Sequence, residues 1–247
     1  MITIDLNSDL GEQEDASLDE RIMPFISSCN IACGGHAGDE ASVKRTIDLA
    51  IKNNVAIGAH PGFPDRENFG REVMKIAPEK LIKSLKEQIL LVKSMAEKAG
   101  KKLHHVKPHG ALYNLAATDR ATSALIGQVL LSINPVPKWY GLSHSVTEEV
   151  ALELNIPFVG EGFADRRYEE NRTLRSRKFE DAVLHEEQEV LDQVEKLAIE
   201  KKVNTVSEPQ VIIAQTICLH SDTKGAVNLA KSIHDHLVNK GVSICSV

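Results

Sequence analysis

Six short apolar runs in this chain each stop abruptly at a His, Lys, Asp or Glu, and that recurrence most constrains its fold. The runs are Ile2-Thr3-Ile4 ending at Asp5, with Asn7 and Asp9 beyond; Ile31-Ala32-Cys33 before His36; and Val55 to Ala59 before His60. The pattern returns as Val106 before Lys107 and His109, as Phe158-Val159-Gly160 before Glu161 and Asp165, and as Thr216 to Leu219 before His220 and Asp222. Amphipathic stretches of helical length lie between most of them. Strands alternating with helices imply a parallel sheet, and parallel sheets collect function at the carboxyl ends of their strands. An open doubly wound sheet concentrates its site at one switch point. Polar residues drawn from nearly every strand therefore favour a closed (β/α) barrel.

Periodicity places strands near 2–6, 28–33, 55–60, 103–108, 138–142, 157–161 and 212–219. Helices are expected near 39–53, 78–99, 119–132, 145–154, 183–201 and 224–239. Asp39 precedes Glu40-Ala41-Ser42-Val43, where its carboxylate can cap the first amides. Pro78 and Glu79 suit a first turn, and Leu81, Leu85, Ile89 and Val92 form an apolar stripe closed by Gly100. No linker, repeat or composition shift divides the 247 residues, so a single domain spanning 1–247 is expected.

Apolar residues at 42% allow a sizeable core, and a net charge of −6 with dispersed basic residues disfavours a nucleic-acid surface. No apolar run approaches the roughly 20 residues that span a bilayer. No basic leader precedes the first strand, and four cysteines without a short secreted framework suit reduced thiols. A cytoplasmic protein with no membrane or nucleic-acid partner is expected. Cys29 and Cys33 have the wrong spacing for a zinc knuckle and read as buried core thiols.

The chemistry-bearing pieces follow the strands. Asp5 to Glu12 packs three carboxylates and an amide into the first strand's exit, enough to hold a divalent cation or poise a general base. Cys33 to Asp39 is a glycine-rich strand-to-helix turn holding His36, where backbone could approach a ligand and the helix start could meet an anion. Neither a P-loop nor a dinucleotide fingerprint is present. His60 opens a long loop running through Asn68-Phe69-Gly70-Arg71, and Asp9 with His36 and His60 would make a two-His, one-carboxylate metal site. Lys107 pointing into a barrel mouth is costly unless it meets an anion, and His109 beside it could relay a proton. His104 and His105 read as structural, since adjacent residues point to opposite faces of a strand and at most one reaches the rim. Glu161 to Tyr168 begins a long polar loop ending near Arg177, a candidate lid whose arginines could clamp a carboxylate or phosphoryl group. At the last strand, Asp222 or Thr223 could cap the final helix.

Taken together these stretches resemble the LamB/YcsF family. Its pattern DLNxDxGE, NIACGFHAGD, GAHPxxPD with FGR, VKPHGALYN, EGFADRxY and ICxHGDT corresponds in order to Asp5 to Glu12, Asn30 to Asp39, Gly58 to Asp65 with Phe69-Gly70-Arg71, Val106 to Asn114, Glu161 to Tyr168 and Ile217 to Thr223. Gly35 stands where the family pattern has an aromatic residue, Ser221 where it has Gly, and Arg172 where a loop Gly is common. The Gly35 change is expected to enlarge whatever pocket the aromatic would line.

The resemblance implies an α/β fold, a seven-stranded (β/α) barrel of the glycoside hydrolase/deacetylase type. It implies ATP-dependent cleavage of 5-oxo-L-proline to L-glutamate by a 5-oxoprolinase, in which this chain would be the A component beside B and C subunits. ATP with Mg would then be held at least in part by a partner, since phosphate motifs are missing here. Asp9, His60, Lys107 and His109 are the expected catalytic residues. Asn7, Glu12, His36, Asp39, Arg71, Glu161, Asp165, Arg166 and His220 are the expected substrate-binding residues. Two competing readings are a metal-dependent sugar deacetylase using Asp9, His36 and His60, and a non-catalytic substrate-binding subunit.

Overall fold

A computed structural model describes residues 2–13 and 17–247. Its elements run β1 (Ile2–Leu10), α1 (Ser17–Ile22), β2 (Ser28–Ala32), α2 (Glu40–Asn53), β3 (Ala56–His60), α3 (Pro78–Lys98) and β4 (His105–Val106). They continue as α4 (Gly110–Ala116), α5 (Arg120–Leu131), β5 (Lys138–Leu142), α6 (Val146–Glu153), β6 (Phe158–Phe163) and α7 (Glu187–Glu195). The last are β7 (Lys202–Val203), β8 (Gln210–Val211), β9 (Thr216–Cys218), α8 (Ala226–Asn239) and β10 (Val242–Ile244).

Seven strands close into a parallel barrel. Each of β1 to β5 pairs with its successor, β6 pairs with β9, and β9 returns to β1 through Asp5 opposite Thr216 and Asn7 opposite Cys218. β1 is long enough to serve a further partner: β10 lies parallel to its first residues, with Ile2 opposite Val242. β7 and β8 form a separate antiparallel pair.

The alternation along β1 explains why its apolar run breaks so early. Successive side chains point to opposite faces of a strand. Ile4, Leu6 and Leu10 join the apolar core, while Asp5, Asn7 and Asp9 enter a polar hydrogen-bonded network, all buried. Asp5 anchors that network, accepting hydrogen bonds from Ser27 at 2.5 Å, Ser28 at 2.7 Å, Thr216 at 2.6 Å and Tyr140 at 3.0 Å. The apolar helix faces cover the outside: Val43, Ile47 and Ala50 of α2 and Leu81, Leu85, Ile89 and Val92 of α3 are buried. Each such large side chain contributes roughly 1.5–3 kcal/mol on burial.

The expected elements are found with shifted ends. The strand near 103–108 shortens to His105–Val106, although the Lys107 amide still donates to the Ala59 carbonyl at 3.0 Å. Pro108 has no amide to extend the ladder. The helix expected from 183 begins at Glu187, because Val183 bridges to Arg166 and the Leu184 amide donates to the Asp165 carbonyl at 2.9 Å. Periodicity alone does not announce α1, α4, β7, β8 or β10, all of them short.

Candidate active site

The strand ends converge as the alternation requires. Asp9, Glu12, His60, Lys107, His109, Phe163, Arg166 and His220 line one cavity of about 440 Å³, with Arg71, Arg177, Lys178 and Asp222 nearer its loops. Asn7, His36, Glu161 and Asp165 are buried outside the cavity lining, where they hold the residues that form it.

Lys107 is the centre of the floor. Its Nζ lies 3.0 Å from Asp9 Oδ1, 2.9 Å from Glu161 Oε1, 3.0 Å from Cys218 Sγ and 3.3 Å from Asn7 Oδ1. Burial opposes its charge, but Asp9, Cys218 and Glu161 hold the ammonium well above the ordinary lysine range. Burial would likewise raise Asp9, yet His60 and Lys107 hold its carboxyl well below the usual carboxylate range. Asn30 donates one amide group to both Asn7 Oδ1 at 2.7 Å and Asp9 Oδ1 at 2.8 Å, fixing the direction of both. Asn30 sits next to Ile31 in the glycine-rich motif, and only the lumen-facing register of β2 reveals its part.

Beside this floor the three imidazoles meet a carboxylate. His36 Nε2 lies 3.1 Å from Glu12 Oε1, His109 Nδ1 lies 3.4 Å from the same oxygen, and His60 Nε2 lies 3.4 Å from Asp9 Oδ2. His36 stacks on His109 with ring centres 3.5 Å apart and planes 5° apart. Burial, then the nearby His60, drives the His36 imidazole well below its ordinary value; burial, then His36 and His60, does the same to His109. Burial and the neighbouring Asp9 push Glu12 up to about 7.

The metal set expected from sequence is regrouped by this geometry. Asp9 is engaged by Lys107 and Asn30, and the four side chains that bring one donor atom each within 4.8 Å of one another are Glu12, His36, His60 and His109. A second trio, Asp9, Cys218 and His220, also falls within that distance. The Lys107 ammonium already lies 3.0 Å from both Asp9 Oδ1 and Cys218 Sγ.

The other wall is built from β6, β9 and the long loop. Asp165 accepts from His220 Nδ1 at 2.9 Å and from the Thr223 hydroxyl, and despite burial His220 and Thr223 hold its carboxyl down at about 2. Thr223 is therefore committed to Asp165, and α8 starts behind a left-handed Gly225 without a side-chain cap. Phe163 stacks on His220 and lies 5.2 Å from the Lys107 ammonium. Arg166 is buried, donating to the Arg175 carbonyl at 2.6 Å, and burial with the nearby Arg177 lowers its guanidinium to about 10. At the mouth, Asp222 pairs with Arg71 from the loop after β3 and with Arg177 at 3.6 Å from the loop after β6. Sequence reasoning misses Arg177, Lys178, Tyr113 and Cys218 as individual site residues. Tyr113 follows Leu112 in the motif at Lys107, and its phenol is held up by burial and the nearby Glu161.

Two expectations are corrected, for Asp39 and Gly35, and the structural reading of His104 and His105 holds. Asp39 does not join the cavity: it caps α2 instead, accepting from the Ser42 amide at 2.8 Å while the Ser42 hydroxyl accepts from the Asp39 amide. That helix start is therefore not open to an anion. Gly35 does not enlarge the cavity, because the buried Gln88 of α3 fills its space, and a Cβ at position 35 would come within 2.4 Å of Gln88 Oε1. His105 enters the barrel near its floor, where its Nε2 meets Asn30 Oδ1 at 2.7 Å, and neither it nor His104 lines the cavity. Gly58 makes this possible, since a Cβ there would overlap the His105 ring at 2.1 Å.

Comparison with known proteins agrees with this architecture. The chain is 44% identical to the 5-oxoprolinase A subunit of Bacillus cereus (strain AH187) over 251 residues, covering 100% of this chain and 99% of that protein. The solved lactam utilization protein of Thermus thermophilus superposes with a TM-score of 0.93 at 32% identity, covering 100% of each chain. The peptidoglycan deacetylase PdaC of Bacillus subtilis, at 11% identity and a TM-score of 0.52 over 100% of this chain and 88% of that one, shares the barrel fold. Residues 4–247 match the LamB/YcsF family, and the chain belongs to it.

Proposed function

We propose that this chain is the A component of an ATP-dependent 5-oxoprolinase, opening the lactam of 5-oxo-L-proline to L-glutamate together with B and C subunits. The observation that carries the reading is a cationic mouth above a floor of ionised Asp9 and neutral imidazoles, in a chain alignable end to end with proteins named as the 5-oxoprolinase A subunit. The substrate is a small ring bearing one carboxylate. Arg71 and Arg177 suit that carboxylate through paired hydrogen bonds.

A lactam is a stable amide. ATP, with Mg held by a partner, would phosphorylate the ring carbonyl oxygen and leave ADP. Asp9, kept ionised by Lys107, takes a proton from water as its oxygen attacks the ring carbon. Lys107 also offers positive charge to the oxygen side of the adduct. The C–N bond breaks as the proton held by Asp9 passes to the ring nitrogen, which leaves as the amine of glutamate, while His60 beside Asp9 and His109 against His60 hold the reacting groups in place. The first water's oxygen stays in the side-chain acyl group, now the acyl phosphate of glutamate, and a second water cleaves that mixed anhydride to the carboxylate and inorganic phosphate. Glu161 and Asn7 position Lys107, and His36, Asp165 and Arg166 position the groups that meet substrate.

The test is ATP hydrolysis dependent on 5-oxo-L-proline, followed by glutamate release, with the purified chain alone and with its B and C subunits. Glutamate is expected only from the mixture. Silence in both, with the partners shown to be folded and associated, overturns the reading.

A further inference from the structure

We infer that Glu12, His60 and His109 form a binding site for one divalent transition-metal ion, with His36 as its outer partner. The ring protons are fixed by what each nitrogen faces. His60 Nδ1 lies 2.7 Å from the Lys107 carbonyl, and His109 Nε2 lies 2.9 Å from the Phe69 carbonyl. A carbonyl only accepts, so both of those nitrogens carry hydrogen. In a neutral imidazole the other nitrogen then bears a lone pair. Those two lone-pair nitrogens, His60 Nε2 and His109 Nδ1, face each other at 2.9 Å. Two acceptors at that distance in a buried site repel unless a cation lies between them.

The third vertex is anionic. Glu12 Oε1 lies 3.4 Å from His109 Nδ1 and 3.9 Å from His60 Nε2. Ligand atoms about 2.0–2.1 Å from a tetrahedral metal are separated by roughly 3.4 Å, so edges of this size suit one ion. The carbonyl bonds that fix the two tautomers are the outer support that metal-ligating histidines require.

His36 does not complete the set. Its ring stacks on His109, so their in-plane lone pairs run parallel and cannot meet at one ion without tilting. Instead its Nε2–H reaches Glu12 Oε1 at 3.1 Å and aims the carboxylate. Its Nδ1 is buried without a hydrogen-bond partner among the described residues, as suits an Nε2–H tautomer turned to Glu12. Two imidazoles and one carboxylate select zinc, iron(II), cobalt(II) or manganese(II) over magnesium or calcium. Such an ion, when bound, would lower the pKa of a water on its open side. The site stands apart from the lactam reading, because its evidence is the donor geometry and not the reaction.

The test reads the metal itself. The full chain is freed of metal by chelation and titrated with zinc and cobalt(II) calorimetrically, with the visible spectrum of the cobalt form recorded. One ion per chain is expected, with the strong visible bands of a four- or five-coordinate cobalt site. Glu12→Gln and His109→Phe are expected to lose affinity by more than about 100-fold, and His36→Phe, which keeps the stack, by about 10–100-fold as an outer partner. Should a variant fail to fold, imidazole NMR of the wild-type chain decides: zinc is expected to shift His60 and His109 and leave His104 unmoved. No stoichiometric binding, a pale six-coordinate cobalt spectrum, equal affinity in all variants or unshifted His60 and His109 resonances would each overturn the site.

Discussion

Lys107 and Asp165 show how single residues set the charge of this barrel. Lys107 is buried between Asp9 and Glu161, and removing one member of such a group leaves an uncompensated charge, at a cost of about 3–5 kcal/mol. Asp165 offers a cleaner measurement, because its hydrogen-bond partners are His220 and Thr223 and it makes no ion pair with Lys107. Its carboxyl falls from 3.8 to about 2 on folding, so the folded state favours the ionised form. The unfolded chain then binds more protons between those values, and stability must decline as pH falls. The contribution is fully present above about pH 4 and disappears as pH drops through about 2. By linkage it amounts to on the order of 2 kcal/mol. Denaturant midpoints for wild type and Asp165→Asn are therefore expected to differ at about pH 6 and to draw together toward about pH 2.5. A gap unchanged across that range would show that the carboxylate's ionisation does not stabilise the fold.

At the scale of elements, most of the architecture is legible in the sequence because its signals are local. The helix stripes on α2 and α3 and the polar endings of the strands follow from periodicities of about 3.6 and 2. What escapes depends on contacts distant in sequence. α4 begins directly after Lys107-Pro108-His109, where a Pro and a Gly obscure a helix of 7 residues. Arg172 stands where the family pattern commonly has Gly, and its left-handed φ of 68° gives the physical reason for glycine there. The expectation for Gly35 fails because its neighbour is Gln88, far along the chain, whose side chain donates to the Gly62 carbonyl at 3.0 Å and accepts from the Gly62 amide at 2.9 Å. Position 35 and Gln88 thus compete for one volume. Gly35→Phe alone is expected to cost about 1–3 kcal/mol through overpacking. Gln88→Ala alone strands the Gly62 groups, again at about 1–3 kcal/mol. The double variant should cost less than the sum, with a coupling of about 0.5–3 kcal/mol. Additive losses in urea denaturation would mean that the two positions do not share the space.

For the whole molecule, the proposed function raises the question of how an anionic substrate would reach a site in a chain of net charge −6. The positive charge is concentrated rather than abundant: Arg71, Arg166, Arg175, Arg177 and Lys178 line the same cavity, and Asp222 is the acidic group set among them at the mouth. The arginine-rich stretch is visible in the sequence, but Arg71 is remote from it along the chain and only barrel closure brings it opposite Arg177. Cations outnumber the lining acids Asp9, Glu12 and Asp222, and such an excess of one sign in a cleft focuses field lines and raises the local concentration of oppositely charged ligand. Salt weakens this, since the screening length is about 10 Å at 0.1 M ionic strength. On the proposed function, kcat/KM for 5-oxo-L-proline in the assembled enzyme should fall as ionic strength rises through about 0.1 M. Arg177→Gln should lower kcat/KM at low salt and flatten that dependence, while kcat at saturation stays close to wild type. Measuring both proteins with the same B and C subunits cancels the effect of salt on assembly. Equal slopes for the two would assign Arg177 to holding the loop through Asp222 rather than to drawing in the substrate.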